Sequence, residues 1–217
     1  MTQRADRWSL VVPVKRVENA KTRLGLDAAS RASLAIAMAV DTVAAALGCA
    51  LVSAVVVVTD DARARAALAP LGLRVVADEP DAGLNAALVH GVAVAASESA
   101  PMTRVGALAS DLPSLRSDDL GLVLSRAMEH DLAAVADLSG SGTTLLCAKS
   151  AARFAPRFGV ESFAAHLAAG AADLTELAPE SVRRDVDTVD GLSGAVDLGV
   201  GEATKRALAE LPVAEGL

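Results

Sequence analysis

The chain has no tyrosine, one tryptophan and three phenylalanines in 217 residues. Sequence-tolerant binding of single-stranded nucleic acid relies on stacked aromatic side chains, so this composition disfavours it. The net charge of −7 disfavours binding along a phosphate backbone as well. No nucleic-acid partner is expected. Cysteine is scarce: Cys49 and Cys147 are far apart and both lie in apolar stretches. They read as small buried hydrophobes, because the spacing suits neither a disulfide framework nor a zinc site. No Ser-His-Asp order, nucleophile elbow or Walker A sequence is present, and His90, His130 and His166 lack partners at ligand spacing, so they read as surface or half-buried residues. The polar start Met1–Arg7 has no apolar signal core. No apolar run reads as long and charge-free enough to span a membrane. A cytoplasmic protein without a membrane partner is the expectation.

What the chain has in abundance is Ala, Val and Leu, with 53% hydrophobic residues overall. That suits one domain over residues 1–217 with a large core. Valine-rich strands alternate with helical stretches. Strands are expected at Trp8–Val14, Ala54–Val58, Leu73–Ala77, Val105–Ala109, Leu132–Asp137, Thr143–Ala148 and Val182–Val186. Helices are expected at Ala28–Ala46, from Asp60 or Asp61 to Leu68, and at Gly83–Ser97, Asp118–Glu129, Ser162–Ala169, Leu192–Leu198 and Glu202–Glu210. This order implies an α/β fold with a mostly parallel central sheet flanked by helices. Residues after about Asp131 read as a hairpin-like lobe added to the first half.

The most informative stretch is Leu10–Lys15, followed by Lys21–Thr22–Arg23–Leu24. An apolar strand runs into a loop with three cations, Lys15, Lys21 and Arg23. Ligands of open α/β sheets bind outside the carboxyl ends of the strands, and three cations there suit a polyanion such as a nucleoside triphosphate. Asp111 follows one strand, and Asp187 follows the expected Val182–Val186 strand beside Asp185. Two carboxylates brought together repel unless a cation lies between them, so Asp111 and Asp187 are a candidate Mg²⁺ pair. The small-residue loop Ser139–Thr144 offers N–H groups and hydroxyls that could meet an anion, although such clusters more often make turns. Gly159–Ser162 precedes a helix, where an anionic acceptor could bind. Asn85 could cap its helix or contact a base or ribose.

With these motifs placed, the chain resembles the CofC/FbiD guanylyltransferases of coenzyme F420 biosynthesis over nearly its whole length. The resemblance rests on Pro13–Val14–Lys15, Ala20–Lys21–Thr22–Arg23–Leu24, Gly83–Leu84–Asn85 and Ser110–Asp111–Leu112–Pro113. It continues through Gly140–Ser141–Gly142–Thr143, Pro156–Arg157–Phe158–Gly159, Ser162 and Arg184–Asp185–Val186–Asp187–Thr188. It implies a Rossmann-like nucleotidyltransferase fold, similar to nucleotide-diphospho-sugar transferases. Residues 1–130 would form the nucleotide-binding half and residues 131–217 the acceptor- and metal-binding half.

The resemblance also implies a reaction: GMP passes from GTP to a small phosphorylated three-carbon acid, and pyrophosphate leaves. Phosphoenolpyruvate is the expected acceptor, on an Ala-rich, Arg-over-Lys composition that looks actinobacterial. The alternatives are 2-phospho-L-lactate, 3-phosphoglycerate, another acceptor such as a sugar phosphate or molybdopterin, and a non-catalytic nucleotide-binding scaffold. Carried over, Lys15, Lys21, Arg23 and Asp111 are catalytic. Pro13, Lys15, Lys21, Arg23 and Asn85 bind nucleotide. Thr143, Gly159 and Ser162 bind the acceptor, and Asp111 and Asp187 hold Mg²⁺. Two departures from the family pattern stand out: Ser110 replaces a common Gly, and Glu161, expected to face solvent, adds a negative charge beside Ser162. The next enzyme of the pathway is an expected partner, and apolar area on the Ala-rich helices leaves room for a homodimer.

Overall fold

The computed structural model describes residues 7–15, 21–79, 81–97 and 104–211. The polar segment before Arg7 and Ala20 of the cationic motif lie outside the described residues. Seven strands form one sheet: β1 (Trp8–Pro13), β2 (Val52–Val58), β3 (Arg74–Val76), β4 (Arg104–Leu108), β5 (Leu132–Ala136), β6 (Thr143–Ala148) and β7 (Ala172–Asp173). Their order is β3-β2-β1-β4-β6-β5-β7. Only β6 runs against its neighbours, pairing antiparallel with β4 and β5. The expected lobe after Asp131 is therefore a hairpin continuous with the main sheet.

Alternate valines show why the central strands are apolar on both faces. Leu10, Val12, Val55 and Val57 enter one buried cluster, while Val11, Val56 and Val58 enter the other. Parallel strands covered on both sides require this pattern. Helices α1 (Ala28–Gly48), α2 (Ala62–Leu68) and α4 (Ser117–Ala127) contribute to the first cluster. Helix α3 (Leu84–Ser97) and Phe163 of α5 (Ser162–Ala168) contribute to the second. Helix α3 approaches the sheet closely at Gly91, where an added Cβ would stand 2.7 Å from Val58 Cγ2. Asp27 caps α1 through the N–H groups of Ala29 and Ser30, and Asp61, one of the two expected caps, starts α2.

The expected strand at Val182–Val186 is instead a one-turn helix, α6 (Glu180–Arg183), followed by an irregular segment. Pro179 stands at its N-cap, and Val182 and Val186 are both fully buried without pairing into the sheet. Their burial explains the apolar signal, and the proline just before the turn explains the helix. Helices α7 (Val189–Leu198) and α8 (Glu202–Ala209) follow. Helix α8 packs on α1, and Asp41 of α1 accepts from Ala203 N (3.0 Å) and Thr204 N (2.7 Å), capping α8 from a distant part of the chain.

Contrary to the sequence expectation, α1 is long and apolar enough to cross a membrane by length and composition. Half of its most apolar window is buried against the sheet and α8, as in the core helix of a globular fold. Cys49 and Cys147 are buried free thiols, as their apolar surroundings imply, and burial raises the pKa of both.

Candidate active site

The carboxyl ends of β1 and β4 open onto a cavity of about 430 Å³, within the range typical of small-molecule sites. A second hollow of about 200 Å³ adjoins it and shares Pro13, Val14, Lys15 and Leu84. The larger cavity meets Lys21, Asp111, Asp137, Thr143, Gly159, Ser162, Asp185 and Asp187. The smaller extends toward Thr59, Asp60, Asp78 and Gly83 at the ends of β2 and β3.

At the floor, the Lys21 ammonium bridges the carboxylates of Asp111 and Asp187, standing 2.7 Å from Asp187 Oδ1. This is the cation that two converging carboxylates require, supplied here by the chain itself. Burial opposes the ammonium's charge, but the two carboxylates outweigh it and raise the Lys21 pKa. Lys21 also sits in the left-handed region at φ 57°, an uncommon state for a residue with a Cβ and one often found at functional sites.

The loop around Asp111 is fixed from below. Buried Thr42 of α1 accepts the Leu112 N–H at 3.0 Å. The C-terminal segment is stitched to the same loop: Val186 N–H donates to Asp111 O (3.1 Å), Ser114 Oγ to Ala195 O (3.0 Å), and Gly201 N–H to Pro113 O (2.9 Å). These bonds place Asp187 opposite Asp111 without a strand beneath it.

The sequence motifs assign Asp185 no role, although it sits beside Asp187. Its side chain lines the cavity, and its pKa is raised to about 7, first by burial and then by Asp111, Asp187 and Asp137. Carboxylate charge therefore exceeds what Lys21 alone balances. Among the described residues no three acidic, His or Cys side chains already stand in ligating arrangement. The donor chemistry nevertheless fits a hard divalent cation, which commonly takes one or two carboxylates plus substrate phosphates.

Other expected residues divide. Lys15 is exposed and lines both hollows, whereas Arg23, also exposed, lines neither. Thr143, Gly159 and Ser162 meet in one wall. Gly159 has φ 145°, which a side chain would resist. Glu161 is exposed, as expected. Asn85 neither caps α3 by the expected route nor lines either hollow. Its amide exchanges two bonds with Phe158, accepting from N (2.8 Å) and donating to O (3.0 Å), and so clamps the 157–159 segment. The N–H groups of Ser141 and Gly142 are already taken by the Asp137 carboxylate at 3.1 and 3.0 Å, so they are not free for an external anion.

His166, expected to be a surface or half-buried residue, is fully buried behind the wall formed by Thr143 and Ser162. Its Nδ1 meets Thr143 Oγ1 at 3.0 Å and its Nε2 meets the Arg157 N–H at 2.8 Å. One of its partners is a backbone group and the other lies 23 residues away, so ligand spacing offered no signal.

The family model described as "Guanylyl transferase CofC like" matches residues 8–206. A phosphoenolpyruvate guanylyltransferase from Streptomyces coelicolor is 50% identical over 210 residues, covering 96% of this chain and 99% of that one. One from Thermomonospora curvata is 49% identical, covering 94% and 90%. A proposed nucleotide-diphospho-sugar transferase from Desulfovibrio desulfuricans has the same fold, with a TM-score of 0.69 at 19% identity over 94% of both chains. A nucleotidyl transferase from Methanothermobacter aligns with a TM-score of 0.59 at 20% identity, over 88% of this chain and 97% of that one. The fold is thus the Rossmann-like nucleotidyltransferase α/β fold, and the chain belongs to the CofC-like guanylyl transferase family.

Proposed function

We propose that this protein transfers GMP from GTP to phosphoenolpyruvate, giving enolpyruvyl-diphospho-5′-guanosine and pyrophosphate. The observation that carries this reading is the Lys21-bridged Asp111–Asp187 pair lining the larger cavity, in a chain half identical to enzymes named for that reaction. The phosphate oxygen of the acceptor attacks the α-phosphorus of GTP, and the bond from that phosphorus to the β-phosphate oxygen breaks. The acceptor oxygen is already anionic near neutral pH, so no general base is needed. The obstacle is repulsion between two polyanions. Lys15 and Lys21 would face the triphosphate and stabilise the charge that grows on pyrophosphate, with Arg23, outside both hollows, adding positive charge at longer range.

Asp111 and Asp187, joined by Asp185, would hold Mg²⁺, which would supply charge neutralisation between the two polyanions. Thr143, Gly159 and Ser162 hold the acid. Pro13 borders the nucleotide, and Asn85 serves it indirectly by fixing the 157–159 segment. Residues 1–130 then form the nucleotide half and residues 131–217 the acceptor and metal half. The enzyme works in the cytoplasm as one domain, and a following enzyme consumes its activated product.

Pyrophosphate release tests the reading, with GTP, Mg²⁺ and one acceptor at a time. Phosphoenolpyruvate should support release well above 2-phospho-L-lactate and 3-phosphoglycerate. A preference for either of those would replace the acceptor. GTP binding without release from any acceptor would favour the scaffold reading.

A further inference from the structure

His166 plays no part in the chemistry above, yet both of its ring nitrogens are engaged and its side chain is sealed from solvent. The partner of Nε2 is a backbone N–H, which can only donate. Nε2 must therefore present its lone pair, and the proton of the neutral ring sits on Nδ1. Nδ1–H then donates to Thr143 Oγ1, which also receives the hydroxyl of Ser162 at 3.1 Å.

Counting hydrogens gives the consequence. The ring and the two hydroxyls carry three hydrogens, and the two bonds among them use two. One O–H is left over, and Thr143 and Ser162 both line the cavity while His166 does not. With the proton on Nε2 instead, the three groups would carry only two hydrogens for the same two bonds, and the hydroxyls would turn lone pairs toward the cavity. The tautomer thus sets whether this wall attracts or repels an anion.

We propose that His166 is a positioning residue whose Nδ1–H tautomer, enforced by the Arg157 N–H, leaves one hydroxyl of the Thr143–Ser162 pair free to donate to an anionic oxygen of the acceptor. The inference rests on the reading that the acceptor binds at this wall. Burial, and secondarily the Arg157 charge, hold the His166 pKa down to about 4, which keeps the ring neutral at working pH. Phe158 packs edge-on at a centroid distance of 5.0 Å and fixes the ring plane.

Nitrogen-15 NMR of the full chain at pH 7 reads the tautomer directly. The His166 signals are identified by their loss in His166→Asn or by proximity to the Phe158 ring. A protonated Nδ1 and bare Nε2 are expected; an Nε2–H or doubly protonated ring would overturn the proposal. Kinetics provide the second arm. Asparagine sets an amide N–H near the Nδ1 position and keeps the donor to Thr143. Glutamine reaches the Nε2 position and keeps only the acceptor for Arg157. By the same count His166→Gln still leaves the pair one O–H but removes the ring bond that aims it; it should raise KM for phosphoenolpyruvate about tenfold, the effect of one misdirected charge-assisted hydrogen bond, with KM for GTP little changed. His166→Asn should recover most of that loss. Equal KM increases for both substrates, or no difference between the variants, would overturn it. Absence of release by the unaltered protein with any acceptor would instead refute the proposed function, and the NMR result would still decide the tautomer.

Discussion

Replacing Lys21 by methionine keeps most of the length of the side chain and removes the cation between two carboxylates. Breaking a fully buried ion pair by deleting one partner costs about 3–5 kcal/mol, and deleting an exposed one costs about 0–1 kcal/mol. This bridge lies between those limits, because the Lys21 side chain is 10% exposed, Asp111 22% and Asp187 62%. Water screens the Asp187 limb, so a loss of about 1–2 kcal/mol is reasonable, weighted toward Asp111. For a chain of this size that corresponds to a fall in Tm of about 2–8 °C in chelator at neutral pH. Adding Mg²⁺ should then raise the Tm of the variant more than that of the unaltered protein. In the latter, the metal must compete with the ammonium for the same oxygens. Thermal unfolding followed by circular dichroism, with and without metal, provides the comparison. An unchanged Tm in chelator, or equal stabilisation of both proteins by Mg²⁺, would refute the idea that lysine and metal share one carboxylate pair.

Acid stability should carry the signature of His166. Its folded pKa, about 4, lies below the unfolded value near 6.5, so the unfolded chain binds the proton first. The stability contributed is complete above pH 6.5 and is lost as pH falls toward 4; at 1.36 kcal/mol per pH unit it amounts to about 3 kcal/mol. Urea titrations from pH 7 down to pH 4 should show that slope, and His166→Gln should flatten it. Gly142→Ala places a Cβ against the Asp137 carboxylate and should break the bonds that shape the 139–142 turn, lowering Tm by several degrees and weakening acceptor binding in the pyrophosphate assay. Asp41→Ala strips α8 of its cap and should cost about 0.5–2 kcal/mol by chemical denaturation, with the Asp111 loop otherwise intact.

The strands that carry the site were legible because a doubly covered parallel sheet demands continuous valine runs, and Lys15 and Asp111 mark where two of those strands stop. The same logic misread Val182–Val186. Val182 is buried from the helical turn and Val186 from the irregular segment after it, in different clusters, and only Pro179 hinted at the difference. Strand β7 is two residues long and has no apolar alternation to reveal it. Asp185 is visible in the sequence as a residue but not as a cavity wall, because its neighbour Asp187 already offers Asp111 a carboxylate partner. His166 was hidden for a deeper reason: hydrogen bonds to backbone leave no trace in residue spacing.

The stitching of residues 186–201 onto the Asp111 loop also sets an order of assembly. A nascent chain that has emerged as far as β6 already has Lys15, Lys21 and Asp111, but it has neither Asp185 nor Asp187. The second carboxylate follows β6 in the chain by more than thirty residues and is locked only when Gly201 reaches Pro113. Under the proposed function, a chain that stops short of this segment would carry Lys15 and Lys21 without the second carboxylate, and turnover would begin only after the fold is closed.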